Sequence, residues 1–267
     1  MESRSSPPPV NTPRAALFDF DGTISTLRAG WEAVMRGLML DVLAEADIGR
    51  GALERAVDLY IDESTGIQTI EQMEWLVGAH EQYLGRAPSL DAWAYKREYT
   101  TRLKRSIRDR IAAVERREVD PELYMVRGAT AFLRALREQG VALFLASGTD
   151  HPDVLREAGI LRVAEHFADI QGAPPDRADW SKEEVINRLL REKGIPGREL
   201  LVVGDGKVEI ALGVRHGART LGVASDERRA GGCDLAKQRR LHAVGADAVV
   251  ADFGDVDRLM AWAGFKQ

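Results

Sequence analysis

Two aspartates separated by a single residue, Asp19 and Asp21, close the apolar run "AALF" at 15–18 and lead into Gly22-Thr23. Carboxylates this close raise each other's pKa and add nothing to a core, so the pair belongs in a solvated turn or around a cation. Three other points carry groups of a matching kind. The run "VALFLAS" at 141–147 ends in Ser147-Gly148-Thr149. "LLVVGD" at 200–205 ends in Gly204-Asp205-Gly206, with Glu209 following at the fourth residue after Asp205. Lys182 sits in "SKEE", where Ser181 and Glu184 have the spacing of a helix capping box.

Singly, each has a plain structural reading. An Asp-Gly pair makes a turn, Ser-Gly-Thr caps a helix, and a lysine in a first helical turn faces water. Together they supply carboxylates for a hard cation, hydroxyl and N–H donors for an anion, and a fixed positive charge. Mg2+ takes oxygen ligands, commonly one or two carboxylates with substrate phosphate and waters. The combination is that of a phosphoryl-transfer site.

Such residues must be held by elements that converge. Short apolar runs at 15–20, 141–147, 168–172, 200–205, 219–225 and 247–252 read as strands, with helical patterns at 128–140, 181–194 and 208–217. Continuous apolar strands alternating with amphipathic helices predict a parallel α/β sheet covered on both faces, a Rossmann-like doubly wound core. Ligands bind such sheets beyond the carboxyl ends of the strands, where the polar groups above fall.

Residues 26–126 break the rhythm, with no strand signal. Apolar spacing predicts helices over 30–46 and 69–85, then a long charged helix from Ser89 to about Glu118. The expected organisation is a leader over 1–13, an α/β core formed by 14–25 and 127–267, and an all-helical insertion over 26–126. Within the long helix, Lys96 to Arg117 holds nine lysines and arginines against three acids. The stripe reads as a solvated face; its other readings are a field steering a phosphorylated substrate, or nucleic-acid contact.

Composition narrows the classes. A net charge of −5 gives no global basic field of the kind nucleic-acid binders carry, so nucleic acid is not the expected partner. Cys233 is the single cysteine, which excludes an intrachain disulfide and any multi-cysteine metal site. No run of eighteen apolar residues is present to form a membrane span. The polar, proline-rich "MESRSSPPPVNTPR" lacks the apolar segment of a secretory signal, so a soluble cytoplasmic protein is expected.

The order Asp19-Phe20-Asp21-Gly22-Thr23, Ser147, Lys182, Gly204-Asp205-Gly206-Lys207-Val208-Glu209 resembles the four motifs of the haloacid dehalogenase superfamily. The insertion between the first two motifs resembles that family's C1-type helical cap. The resemblance implies a nucleophilic Asp19 forming an aspartyl-phosphate, and Asp21 as acid–base residue. It implies phosphoryl contacts from Ser147, Gly148 and Lys182. It also implies Mg2+ held by Asp19, Asp205, Glu209 and, through its backbone carbonyl, Asp21. The last motif position is usually aspartate in the family, and Glu209 departs from it.

Within that superfamily Asp21 is the discriminator. A leaving halide needs no proton, whereas a phosphate ester leaves as an alkoxide and does. The expectation is a Mg2+-dependent phosphatase acting on a small phosphorylated metabolite, a sugar phosphate or nucleotide monophosphate. The alternatives are a sugar-phosphate mutase on the same site and a non-catalytic binding protein that keeps the fold. Substrate contacts are expected from Arg28 and Trp31 after the first motif, and from Thr65, Gly66 and Gln68 in "STGIQT". Trp31 also fits an apolar helix face and Arg28 an exposed position.

Overall fold

The computed structural model describes residues 12–227 and 231–265, so the expected leader lies, through residue 11, outside the described residues. The six apolar runs form six parallel strands: β1 (Ala15–Phe18), β2 (Ala142–Asp150), β3 (Asp169–Ala173), β4 (Leu200–Gly204), β5 (Arg219–Val223) and β6 (Ala248–Val250). They lie in one sheet in the order β3-β2-β1-β4-β5-β6. β1 and β4 are buried along their whole length, as strands covered on both faces must be. The chain winds outward from β1 to β3, then crosses back to β4. β1 and β4 therefore flank the switch point, where such sheets open a crevice for ligands.

Six helices follow the strands: α5 (Ala129–Glu138), α6 (His151–Ile160), α7 (Lys182–Lys193), α8 (Lys207–Arg215), α9 (Leu235–Ala243) and α10 (Val256–Ala263). Alternation along β1 splits the core. Ala16 and Phe18 pack with Phe132, Leu133, Val154 and Met260, while Ala15 and Leu17 pack with Val185, Ile186, Leu189 and Leu212.

Between β1 and α5 lie four helices: α1 (Trp31–Val42), α2 (Arg50–Glu63), α3 (Thr69–Leu84) and α4 (Ala92–Glu115). No strand occurs there among the described residues, as the sequence pattern requires. α2 is additional to the predicted helices; it buries Leu53, Val57 and Ile61 at four-residue spacing. α4 stops short of its predicted end because Arg117 turns left-handed, φ 59°, letting Glu118 N donate back to Ala113 O. The outgoing and returning segments pair directly, Thr26 N donating to Tyr124 O and Val126 N to Ile24 O, each at 2.9 Å.

Part of the basic stripe on α4 is engaged within the chain. Lys96 pairs with Asp150 at 2.6 Å, Lys104 with Asp153 at 2.8 Å and Arg102 with Asp41 at 2.6 Å. Arg110 donates to the carbonyls of Leu27 and Ala29. These four tie α4 to its neighbours, while Arg97, Arg105, Arg108, Arg116 and Arg117 are exposed, in keeping with the solvated face expected from the sequence. None of the described helices is long and apolar enough to cross a membrane.

Candidate functional site

Asp19 extends β1 by one hydrogen bond, its N–H donating to Val203 O at 2.9 Å, and this register carries its carboxylate to the crevice beside β4. The chain then turns sharply at Gly22, φ 73°, where a Cβ would come within 2.2 Å of an Asp205 carboxylate oxygen. Only glycine allows β1 and β4 to bring their acids this close.

Lys182 opens α7, whose N-cap Ser181 accepts from Glu184 N at 3.2 Å. From there its Nζ donates to Asp19 Oδ1 at 2.7 Å and to Glu209 Oε2 at 2.9 Å, all three groups being buried. The second oxygen of Glu209 accepts from Gly206 N at 2.6 Å, so this residue both caps α8 and faces the crevice. Burial alone would lower the Lys182 pKa, but Asp19 and then Glu209 raise it above the ordinary lysine range, keeping it charged. Burial pushes Asp19 well above the carboxylate range; Lys182 opposes this, while Glu209 and Asp205 add to it.

Oxygens of Asp19, Asp205 and Glu209 lie within 4.8 Å of one another, the single such acidic group among the described residues. A divalent cation fits this set on two counts: the donors are all carboxylate oxygens, and the upward push on Asp19 is what a nearby cation relieves.

Asp21 faces the same crevice with a different environment. Its Oδ2 accepts from Thr149 Oγ1 at 2.8 Å, while Oδ1 is buried with no hydrogen-bond partner among the described residues. Burial raises its pKa, against Arg28 and Thr149, which stabilise the charged form. Arg28 is buried, not exposed. Its Nε and Nη2 grip Glu157 at 3.0 and 2.7 Å, with Asp153 at 3.5 Å and Asp21 at 3.8 Å.

Ser147 is buried at the end of β2, where the β2–β3 register shifts, and its Oγ accepts from Thr149 N at 3.1 Å. Gly148 is closely approached by the α2–α3 loop: a Cβ there would lie 2.7 Å from Ile67 O. Gly66 of that loop has φ 95°, and a Cβ on it would meet Glu209 Oε2 at 3.0 Å. The helical segment therefore closes directly over the strand ends.

The cavity between them, about 90 Å³, is lined by Asp19, Asp21, Ser147, Gly148, Lys182 and Asp205 from the sheet side. Arg28, Trp31, Thr65 and Gly66 line it too, together with Ile67, Thr69, Gln72, Tyr99 and Leu103. Gln68 departs from expectation. Its amide donates to the carbonyls of Trp180 and Ala178, which holds the α2–α3 loop to the segment before α7, and it does not line the cavity. Trp31 satisfies both readings, packing on the core and lining the cavity.

Lys237 on α9 has no counterpart among the residues read from sequence. Its buried Nζ donates to Asp205 Oδ2 at 2.7 Å and to Glu227 Oε1 at 2.5 Å. Burial would lower Lys237, yet Asp205 and Glu227 raise it; Glu227, sharing that ammonium, is pushed by burial up to about 7. A lysine amid "LAKQRR" gives no sequence signal of this role, because its partners are distant in the chain.

A Rossmann-like α/β core whose central strand ends meet beneath a helical insertion defines the structural class. The chain belongs to the haloacid dehalogenase-like hydrolases, whose family profile matches residues 13–217. Among solved structures, it resembles a predicted phosphoglycolate phosphatase from Haemophilus somnus at 15% identity and TM-score 0.63, covering 93% of this chain and 98% of that one. It also resembles a β-phosphoglucomutase from Clostridium difficile at 13% identity and TM-score 0.64, covering 94% and 97%. A third is a hydrolase from Pseudomonas syringae at 17% identity and TM-score 0.60, covering 93% and 98%. At these identities the likeness is one of fold. No curated protein matches the sequence significantly.

Proposed function

We propose that the protein is a Mg2+-dependent phosphatase that hydrolyses a small phosphate monoester, with the helical segment 26–126 as its cap. The observation that carries this reading is the pairing on one cavity wall of two carboxylates in opposite situations. Asp19 is held by the Lys182 ammonium, while Asp21 presents a buried Oδ1 that receives no hydrogen bond and has Arg28 Nε at 3.8 Å.

Asp19 attacks phosphorus, and the bond from phosphorus to the ester oxygen breaks as the carboxylate oxygen bonds to phosphorus. The departing oxygen takes its proton from Asp21, whose raised pKa keeps that proton available. Water then attacks the aspartyl-phosphate, Asp21 takes a proton from it, and Asp19 is regenerated with release of phosphate. Ser147 and the Gly148 backbone hold the phosphoryl oxygens, and Lys182 offsets charge on Asp19 and the phosphoryl group together. Asp19, Asp205 and Glu209 would hold the metal, with the Asp21 carbonyl. When bound, Mg2+ supplies charge neutralisation to the transferring group.

Asp21 separates this reading from dehalogenation, since a halide needs no proton. The test is release of phosphate from small esters with Mg2+. Asp19→Asn is expected to abolish release and chelation to silence the wild type. Full activity in Asp19→Asn would overturn the mechanism.

A further inference from the structure

We infer that the site accepts esters whose leaving group is uncharged, a short hydroxylated carbon chain, and rejects those carrying a second anion. This rests on the phosphatase reading above and names its substrate class. Among the described residues lining the cavity, the charged ones are Asp19, Asp21, Asp205, Arg28 and Lys182. Both cations are committed. Lys182 is shared between Asp19 and Glu209, and Arg28 is gripped by Glu157 with Asp21 and Asp153 beside it.

Around Arg28, with Asp21 protonated as the active acid, the carboxylates of Asp153 and Glu157 balance the two cations Arg28 and Lys104, leaving this wall no net positive charge. A carboxylate or second phosphate placed here would lose its hydration and gain no unspent cation. The remaining lining is neutral: Trp31, Thr65, Thr69, Gln72, Tyr99 and Leu103. Hydroxyl and amide groups beside an aromatic ring and a leucine suit a chain with polar hydroxyls and an apolar carbon edge. The cavity volume, about 90 Å³, is below the few hundred Å³ of drug-sized sites, which suits a short chain. A bisphosphate, the species a sugar-phosphate mutase must turn over in place, meets the same obstacle.

The test compares two esters of one size, glycerol 2-phosphate and 2-phosphoglycerate, which differ by a hydroxymethyl against a carboxylate. The neutral ester is expected to have a kcat/KM about 100-fold higher. Equal or faster turnover of the acid overturns the inference. Binding of both esters to Asp19→Asn is measured in parallel by calorimetry. Tighter binding of the neutral ester supports the inference irrespective of wild-type turnover; tighter binding of the acid, or binding of neither, overturns it. If the wild type releases no phosphate from either ester or from acetyl phosphate, the hydrolase reading fails separately. Glu157→Gln, or Asp153→Asn should the first not fold, is expected to narrow the preference about tenfold by leaving positive charge on Arg28 uncompensated. An unchanged ratio in a folded variant also overturns the inference.

Discussion

Replacing Lys182 by methionine keeps length and apolar stem but deletes the ammonium that Asp19 and Glu209 share at 2.7 and 2.9 Å. Both carboxylates are buried, so neither recovers the lost partner from bulk water. Breaking a buried pair from one side costs about 3–5 kcal/mol. At about 2–4 °C per kcal/mol for a protein near this size, the metal-free variant should melt about 6–20 °C below wild type. The deficit should depend on pH with a definite sign. Without Lys182, the folded-state pKa of Asp19, already raised by burial, rises further above its unfolded value. A carboxyl raised by folding binds a proton on folding, so stability recovers as pH falls through that folded pKa. Melting curves in chelator at pH 8 and pH 5 measure both effects. Mg2+ should then raise the melting temperature of the variant more than that of wild type, since a cation restores balance among the acids. Turnover at saturating Mg2+ should fall about 10²–10³-fold, the scale of losing one transition-state donor. A metal-free variant melting within about 2 °C of wild type at pH 8 would refute the claim that Lys182 balances buried charge.

Two further perturbations act on neighbouring groups. Thr149→Val removes the hydroxyl that donates to Asp21 Oδ2 and stabilises its charged form, so the Asp21 pKa should rise. As the active acid is protonated, kcat/KM falls as pH rises through that pKa, and the descending limb should move to higher pH; movement to lower pH contradicts the assignment. Lys237→Met frees Asp205 Oδ2 from its anchor and should weaken metal binding, followed with Mn2+ by paramagnetic resonance, by about tenfold. Unchanged or tighter binding would show that Lys237 does not position Asp205.

The sheet was legible because its strands are continuous apolar runs ended by turn residues, and all six lie where the pattern places them. The helix α2 was not, although Leu53, Val57 and Ile61 mark a face, because the surrounding "RGALERAVDLYIDE" is polar enough to pass for a charged connection. The helices α6, α9 and α10 were also unread. At the site, Asp19, Lys182, Asp205 and Glu209 converge as their positions at strand and helix ends imply. The ionic partners did not show. Arg28 meets Glu157 across 129 residues and Lys237 meets Asp205 across 32, and pairing at such separations leaves no periodic trace. For the same reason the sequence does not show that Lys96 meets Asp150, or that Gln68 holds the α2–α3 loop to the segment before α7.

The placement of β1 bears on how the chain is made. Ala15 pairs with Ala142 on one side and Leu200 on the other, so β1, the first of the six strands in the chain, gains its second neighbour only when β4 has been made. At about 5–20 residues per second, about 10–40 s separates synthesis of β1 from that of β4. During that interval "AALF" is an apolar segment with open edges, while the four intervening helices are complete in sequence. The strand that leads to Asp19 therefore waits with an open edge through much of synthesis, and the crevice cannot exist until β4 has emerged.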